Sequence, residues 1–165
     1  DAGCGPAGIF MALEDCKVTA MDPLLGAYKS LPHFQPERYK QVHFVESAME
    51  NFSTEERYDV IFCLNAINHV SDIGQAYDVL MRYLKPGGRL VVSIDAHNHG
   101  WLKQIFRWLP GDALHPHQYD LEEYTAFLTD RGLTMEQTLL KDKGLIFNYY
   151  VQVCSRQSTV NGPPI

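Results

Sequence analysis

Gly3-Cys4-Gly5-Pro6-Ala7-Gly8 sets three glycines at the spacing G-x-G-x-x-G, ahead of a run of good helix formers over 7–16. Glycine lets a backbone approach a ligand closely because no Cβ intervenes. A helix that follows adds unpaired N–H groups and the positive end of its dipole. Asp22 closes the next alternating segment, 17–21, just before Pro23. A carboxylate there can accept both hydroxyls of a ribose. Loop and acid together describe a site for an adenosine-containing cofactor, and alone they do not separate a nicotinamide enzyme from its alternatives. Further along, His97, His99, His115 and His117 form two H-x-H pairs. They are candidates for acid–base or acceptor-binding roles, although any one of them also reads as an ordinary loop histidine. Two rings on one side of an extended segment could hold a metal, but no further clustered ligand marks a metal type, so none is expected.

These residues need a scaffold, and the hydrophobic pattern supplies one. The segment 7–16 reads as a helix, 17–21 as a short strand, 24–31 as a helix and 42–45 as a strand. The apolar run 58–64 suits a strand buried on both faces of a parallel sheet. Residues 73–84 carry apolar side chains at helical spacing, and Lys85-Pro86-Gly87-Gly88 stops them. A buried strand over 89–95, a helix over 121–128 and two strand-like segments at 133–140 and 145–153 follow. Strands alternating with helices predict an α/β domain with a mostly parallel, Rossmann-like sheet and helices on both faces. The last two strands have no clear helix between them and are expected to pair as a hairpin, making the C-terminal strand antiparallel.

Three strings carry a family resemblance. Asp1-Ala2-Gly3-Cys4-Gly5-Pro6-Ala7-Gly8 resembles the first motif of class I methyltransferases, D-x-G-C-G-x-G, with Ala7 where glycine is common. The string 58–70, YDVIFCLNAINHV, is similar to that family's fourth-strand motif, and 84–90, LKPGGRL, to its turn into the fifth strand. Order and spacing are kept across 1–95. The resemblance implies S-adenosylmethionine as cofactor. It also implies that Asp1 ends the first strand near the methionine part, with Gly3 and Gly5 letting that part lie on the backbone. Asp22 would hold the ribose, Ser47, Ala48 and Met49 would flank the adenine, and Asn65 and Ala66 would border the methionine and the methyl. It further implies that the first strand precedes Asp1 and is missing from this sequence, so Asp1 is read as a cut point. Met49 reads more readily as a core gap-filler than as an adenine contact, Asp59 as a structural residue at its strand start, and Cys4 as a small buried residue.

Length and composition set the outer bounds. The 165 residues fit one domain, expected over 1–154 with a flexible tail at 155–165. A net charge of −6 disfavours a phosphate backbone as partner. No apolar run is long enough for a membrane span, and no secretory signal is visible, so a cytoplasmic place is expected. Cys4, Cys16, Cys63 and Cys154 form no C-x-x-C pair and read as free thiols. The segment 100–110 bears Trp101, Ile105 and Leu109 on one helical face and reads as a lid, a surface helix or a docking helix. The acceptor site is expected to be built mainly from residues 95–119, where Asp95 ends the fifth strand and Trp101, Phe106, Trp108, Tyr119 and the four histidines follow. The leading expectation is methyl transfer from S-adenosylmethionine to a small-molecule acceptor, with the oligomeric state open. A catalytically silent methyltransferase-like binding module and a nicotinamide-dependent oxidoreductase are the alternatives.

Overall fold

The computed structural model describes residues 1–97 and 119–158. The described strands are β1 (Val18–Met21), β2 (Val42–Val45), β3 (Tyr58–Cys63), β4 (Leu84–His97), β5 (Leu133–Lys143) and β6 (Phe147–Arg156). The helices are α1 (Leu25–Tyr28), α2 (Ile73–Tyr83) and α3 (Leu121–Thr129). β1 pairs with β2 in parallel, and β3 with β4 in parallel. β6 runs antiparallel to both β4 and β5, giving the order β3-β4-β6-β5. The expected Rossmann-like sheet with an antiparallel C-terminal strand is therefore present.

Residues 1–3 join the two sheets. On one side the Asp1 backbone nitrogen donates to Thr19 O, Met21 N to Asp1 O and Gly3 N to Met21 O. On the other side Ala2 N donates to Phe62 O at 2.7 Å. The segment thus occupies the end of a central strand position between β1 and β3. Below it the backbone edges of β1 and β3 face each other across an open cleft of about 670 Å³, lined by Val18, Thr19, Val60, Ile61, Leu80 and Tyr83 among others. β3 is consequently less buried than its apolar run suggests: Val60 is 44% exposed. Val60 lines the open cleft, beside which the pairing of β3 on that edge is limited, among the described residues, to Ala2.

Side-chain alternation divides the packing between the two faces. Val18 and Ala20 join Phe10, Leu25 and Phe34 in a small cluster on one face. Met21, Ile61 and Cys63 join the main core with Ile73, Tyr77 and Leu80 of α2 and Tyr124 and Leu128 of α3 on the other. Asp72 caps α2 by accepting from Gln75 N, and Asp120 with Glu123 forms a reciprocal capping box at α3. Arg131 ties the two helices, bonding Asp78 at 2.7 Å and Gly74 O at 3.0 Å beside the Tyr77 and Phe127 rings.

Four elements depart from expectation, the first being β4, which begins at Leu84 and takes in the Lys-Pro-Gly-Gly stretch expected as a turn ahead of 89–95, with its pairing to β3 irregular between Tyr58 and Val60. The predicted helix over 7–16 is only a single 3-10 turn, Ile9–Ala12, whose N-cap Gly8 offers no side-chain bond. A short helix is marginal without a packed face, and Leu13 and Cys16 border the open cleft instead of a strand. The helix over 24–31 shortens to α1. β6 continues through Ser155 and Arg156, two residues into the expected tail, because Arg156 Nη1 reaches the carbonyls of Met81 and Leu84 at the end of α2. Among the described residues no helix is long and apolar enough to cross a membrane.

Candidate functional site

The glycine loop lies at the carboxyl ends of β1 and β3, and each glycine has its own reason to be there. Gly3 has φ +72°, and a Cβ on it would overlap Ala66 Cβ. Gly8 is crowded by the Asp1 carboxylate and Cys4 O. Gly5 differs: its φ is +57°, yet no atom stands within 4 Å of where its Cβ would be. Gly3 and Gly8 serve packing, and Gly5 leaves an open cradle. That cradle opens on a cavity of about 510 Å³ lined by Asp1, the loop, Leu64, Asn65 and Tyr149.

The acids hold the loop in shape. Asp1 Oδ2 accepts from Phe10 N at 3.0 Å and so closes the turn that follows the loop. Asp22 is 8% exposed; its Oδ2 accepts from Gly5 N at 3.0 Å and its Oδ1 from Leu24 N at 2.9 Å. A carboxylate has about four acceptor positions, so Asp22 keeps acceptor capacity beyond these two bonds, shared with the Tyr28 phenol that also hydrogen-bonds to it. Burial pushes the Tyr28 phenol up to about 12, and the Asp22 carboxylate beside it adds to the shift. Burial, with Asp22 second, likewise pushes the Cys4 thiol up to about 12. A thiol so shifted is no nucleophile at neutral pH, in line with its reading as a small buried residue.

The other expected contacts fall into two groups. Asn65 and Ala66 sit beside the loop, Ala66 against Gly3 and Asn65 in the cavity wall. Ser47 follows β2, its N–H donating to Asp22 O at 3.3 Å, and its hydroxyl donates to Ala48 O at 2.9 Å. Met49 is buried in the main core with its Cε near Gly3, which is its gap-filling role. Asp59 pairs with Lys85, in the LKPGG string at the start of β4, at 2.9 Å; this exposed bond draws its carboxyl below the usual range. It joins two family motifs mechanically.

Of the histidine candidates only His97 falls within the described residues. It ends β4, buried, with its ring 4.3 Å from the Phe147 ring centroid and its backbone N–H donating to Tyr119 O. It does not line the loop cavity. His99, His115 and His117, and the segment 100–110, lie outside the described residues. Among the described residues no three His, Cys, Asp or Glu side chains gather as a metal site. Two residues escaped sequence reasoning. Tyr149 reaches the cavity because the β4–β6 register sets it opposite Asp95. Ser93, buried in β4, bonds Asn65. Both depend on long-range pairing, which hydrophobic period alone does not encode.

A family profile described as Methyltransferase domain matches residues 1–92, more than half of the chain. The chain belongs to this family. Its class I members take their methyl group from S-adenosylmethionine. The ubiquinone biosynthesis O-methyltransferase of Rickettsia prowazekii (strain Madrid E) is 27% identical over 161 residues, covering 90% of this chain and 61% of that protein. The methyltransferase domain thus spans about three-fifths of that relative's length. Among solved structures, the N-methyltransferase NodS from Bradyrhizobium japonicum WM9, in complex with S-adenosylhomocysteine, has TM-score 0.71 at 20% identity, covering 94% of this chain and 75% of that one. The [4+2]-cyclase SpnF has TM-score 0.74 at 13% identity, covering 96% and 73%. These two show the fold; SpnF also shows that the fold hosts other chemistry.

Proposed function

We propose that this domain binds S-adenosylmethionine in the loop cavity and transfers its methyl group to a small organic acceptor. The observation that carries the reading is the Gly5 cradle with Asp22 clamped beneath it. A carboxylate with remaining acceptor capacity suits a ribose hydroxyl, and the open side of Gly5 lets a ligand lie on the backbone. Asn65 and Tyr149 line the same cavity and are the polar side chains beyond the loop that an acceptor there would meet. The cofactor supplies a methyl carbon bonded to a positive sulfur, a good leaving group. The chain's task is then alignment and exclusion of water. An acceptor hydroxyl must also lose a proton, and His97, His99, His115 and His117 are the candidate bases. The family match sets aside the nicotinamide-dependent reading.

Relatives are named for both oxygen and nitrogen acceptors, so the acceptor atom is a matter for turnover assays. Three buried cysteines and one exposed, none in a disulfide, suit a reducing, cytoplasmic compartment. Calorimetry with S-adenosylhomocysteine and with NAD, followed by turnover on a panel of phenols, catechols and amines, tests the proposal. Binding of the first ligand with methylation of any panel member supports it. Binding without turnover on a broad panel favours the silent module, and no binding overturns the reading.

A further inference from the structure

Among the described residues Asn65 is the one non-glycine with positive φ, at 54°. That conformation is unfavourable for an L-residue, least so for asparagine, and it persists where neighbours over-determine it. Here the neighbour is Ser93. Its Oγ accepts from the Asn65 backbone N–H at 2.7 Å and donates to Asn65 Oδ1 at 3.3 Å. Ser93 is 1% exposed, between the buried Val92 and Ile94 of β4. A hydroxyl in such surroundings is costly unless bonded, and both of its bonds end on one residue. Asn65 itself is exposed and forms part of the cavity wall. Its neighbour Ala66 leans on Gly3, so the turn is braced from two sides, by the glycine loop and by β4.

We infer that Ser93 is a positioning residue for the ligand cavity: it holds the Asn65 turn in its left-handed form and orients the carboxamide. Ser93 does not reach the cavity; it acts through Asn65. With Oδ1 engaged by the serine, the group Asn65 has left for a ligand is its NH₂ donor, which suits a carboxylate or carbonyl oxygen. An apolar residue at 93 would fill the space and leave the Asn65 N–H without its acceptor. The turn would then relax toward ordinary φ and reshape the wall. This rests on the reading of the cavity as the cofactor's site.

The test compares wild type, Ser93→Ala, Ser93→Thr, Asn65→Gly and the Ser93→Ala/Asn65→Gly pair by calorimetry with S-adenosylhomocysteine. Amide hydrogen exchange at residue 65 is followed in parallel. Ser93→Ala is expected to weaken binding about tenfold, equivalent to about 1.4 kcal/mol. Ser93→Thr keeps the hydroxyl and should stay within about threefold of wild type. In the Asn65→Gly background the same Ser93→Ala step should cost under about twofold, because glycine adopts positive φ unaided. The residue-65 amide should be protected in wild type and in Ser93→Thr, and exchange fast in Ser93→Ala. Should Ser93→Ala fail to fold, Ser93→Cys, a near-isostere with a weaker bond, replaces it with the same expected direction. Wild-type affinity in Ser93→Ala, or an equal loss in both backgrounds, overturns the inference. A wild type that binds no S-adenosylhomocysteine overturns the cofactor reading instead. In that case the exchange pattern alone decides the positioning role, for it if protection is lost in Ser93→Ala and kept in Ser93→Thr, against it otherwise.

Discussion

Replacing Asp22 by alanine removes one carboxylate with two structural duties and one proposed ligand duty, and the three can be separated. In the free domain the change strands the backbone N–H groups of Gly5 and Leu24, bonded now at 3.0 and 2.9 Å. Bonds to a charged acceptor contribute about 1.5–3 kcal/mol each where buried. Asp22 is 8% exposed, but Gly5 borders an open cavity where water can replace one partner. A total loss of about 2–4 kcal/mol of folding stability is therefore expected, read as a lower urea midpoint with unchanged slope. Asp22→Asn keeps one acceptor oxygen and should lose about half as much. Affinity for S-adenosylhomocysteine should fall with loss of the ribose contacts, by about 1–3 kcal/mol. A loosened loop could also weaken binding, so an analogue lacking the 2′ and 3′ ribose hydroxyls serves as control. If Asp22 receives the diol, wild type and Asp22→Ala bind that analogue nearly alike. Equal losses for both ligands would refute the ribose role, and an unchanged urea midpoint would refute the loop-clamping argument.

The two loop glycines should fail to different degrees: both alanine variants carry the strain of a positive φ, about 1–2 kcal/mol, Gly3→Ala, which also meets Ala66, should lose about 1–3 kcal/mol of stability more, and Gly5→Ala, with empty space around it, should add a loss of ligand affinity. Thermal melts and calorimetry on the pair check this, and identical behaviour would sink the division of roles. In the native chain a thiol reagent at pH 8 should label Cys16 quickly and leave Cys4, Cys63 and Cys154, buried thiols pushed up to about 12, until unfolding. The same shifts set a pH trend. Thiols raised from 9.0 to about 12 on folding give stability that is whole below pH 9 and drains away between there and 12, since the unfolded chain loses its protons first. Urea midpoints across that range measure it, and a flat profile contradicts it.

Local signals in the sequence located most of the fold. The 73–84 spacing and its Lys-Pro-Gly-Gly stop placed α2 within one residue, because cap, period and terminator all act within a few positions. The hairpin of β5 and β6 was legible in outline for the same reason. The expected 7–16 helix is a single 3-10 turn: its sequence favours a helix, but a helix that short is marginal without tertiary packing, and Leu13 and Cys16 border an open cleft where no strand lies against them. In the site, Gly5 and Asp22 were legible because a turn and a strand end announce themselves locally. That Asp22 clamps Gly5 was not, since 17 residues separate them. Tyr149 and Ser93 were invisible for the stronger reason that their meaning arises from register across β4, β6 and β3.

The cleft and the ligand cavity are two ends of one short segment, and this ties folding to binding. Asp1 and Ala2 pair with β1 and β3 through their backbones. The Asp1 side chain then closes the turn after the loop, and Gly3 rests on Ala66. Whatever lets the edges of β1 and β3 drift apart pulls on the same residues that shape the cavity. A ligand held by Gly5, Asp22 and Asn65 would in turn grip the ends of β1 and β3 together, since those three residues belong to the loop, to the end of β1 and to the turn after β3. By linkage, a ligand that binds only the assembled arrangement stabilises the fold by as much as the assembled fold improves its binding. On the proposed reading of the cavity, the loop that would cradle the ligand is also the pin that joins the two halves of the sheet.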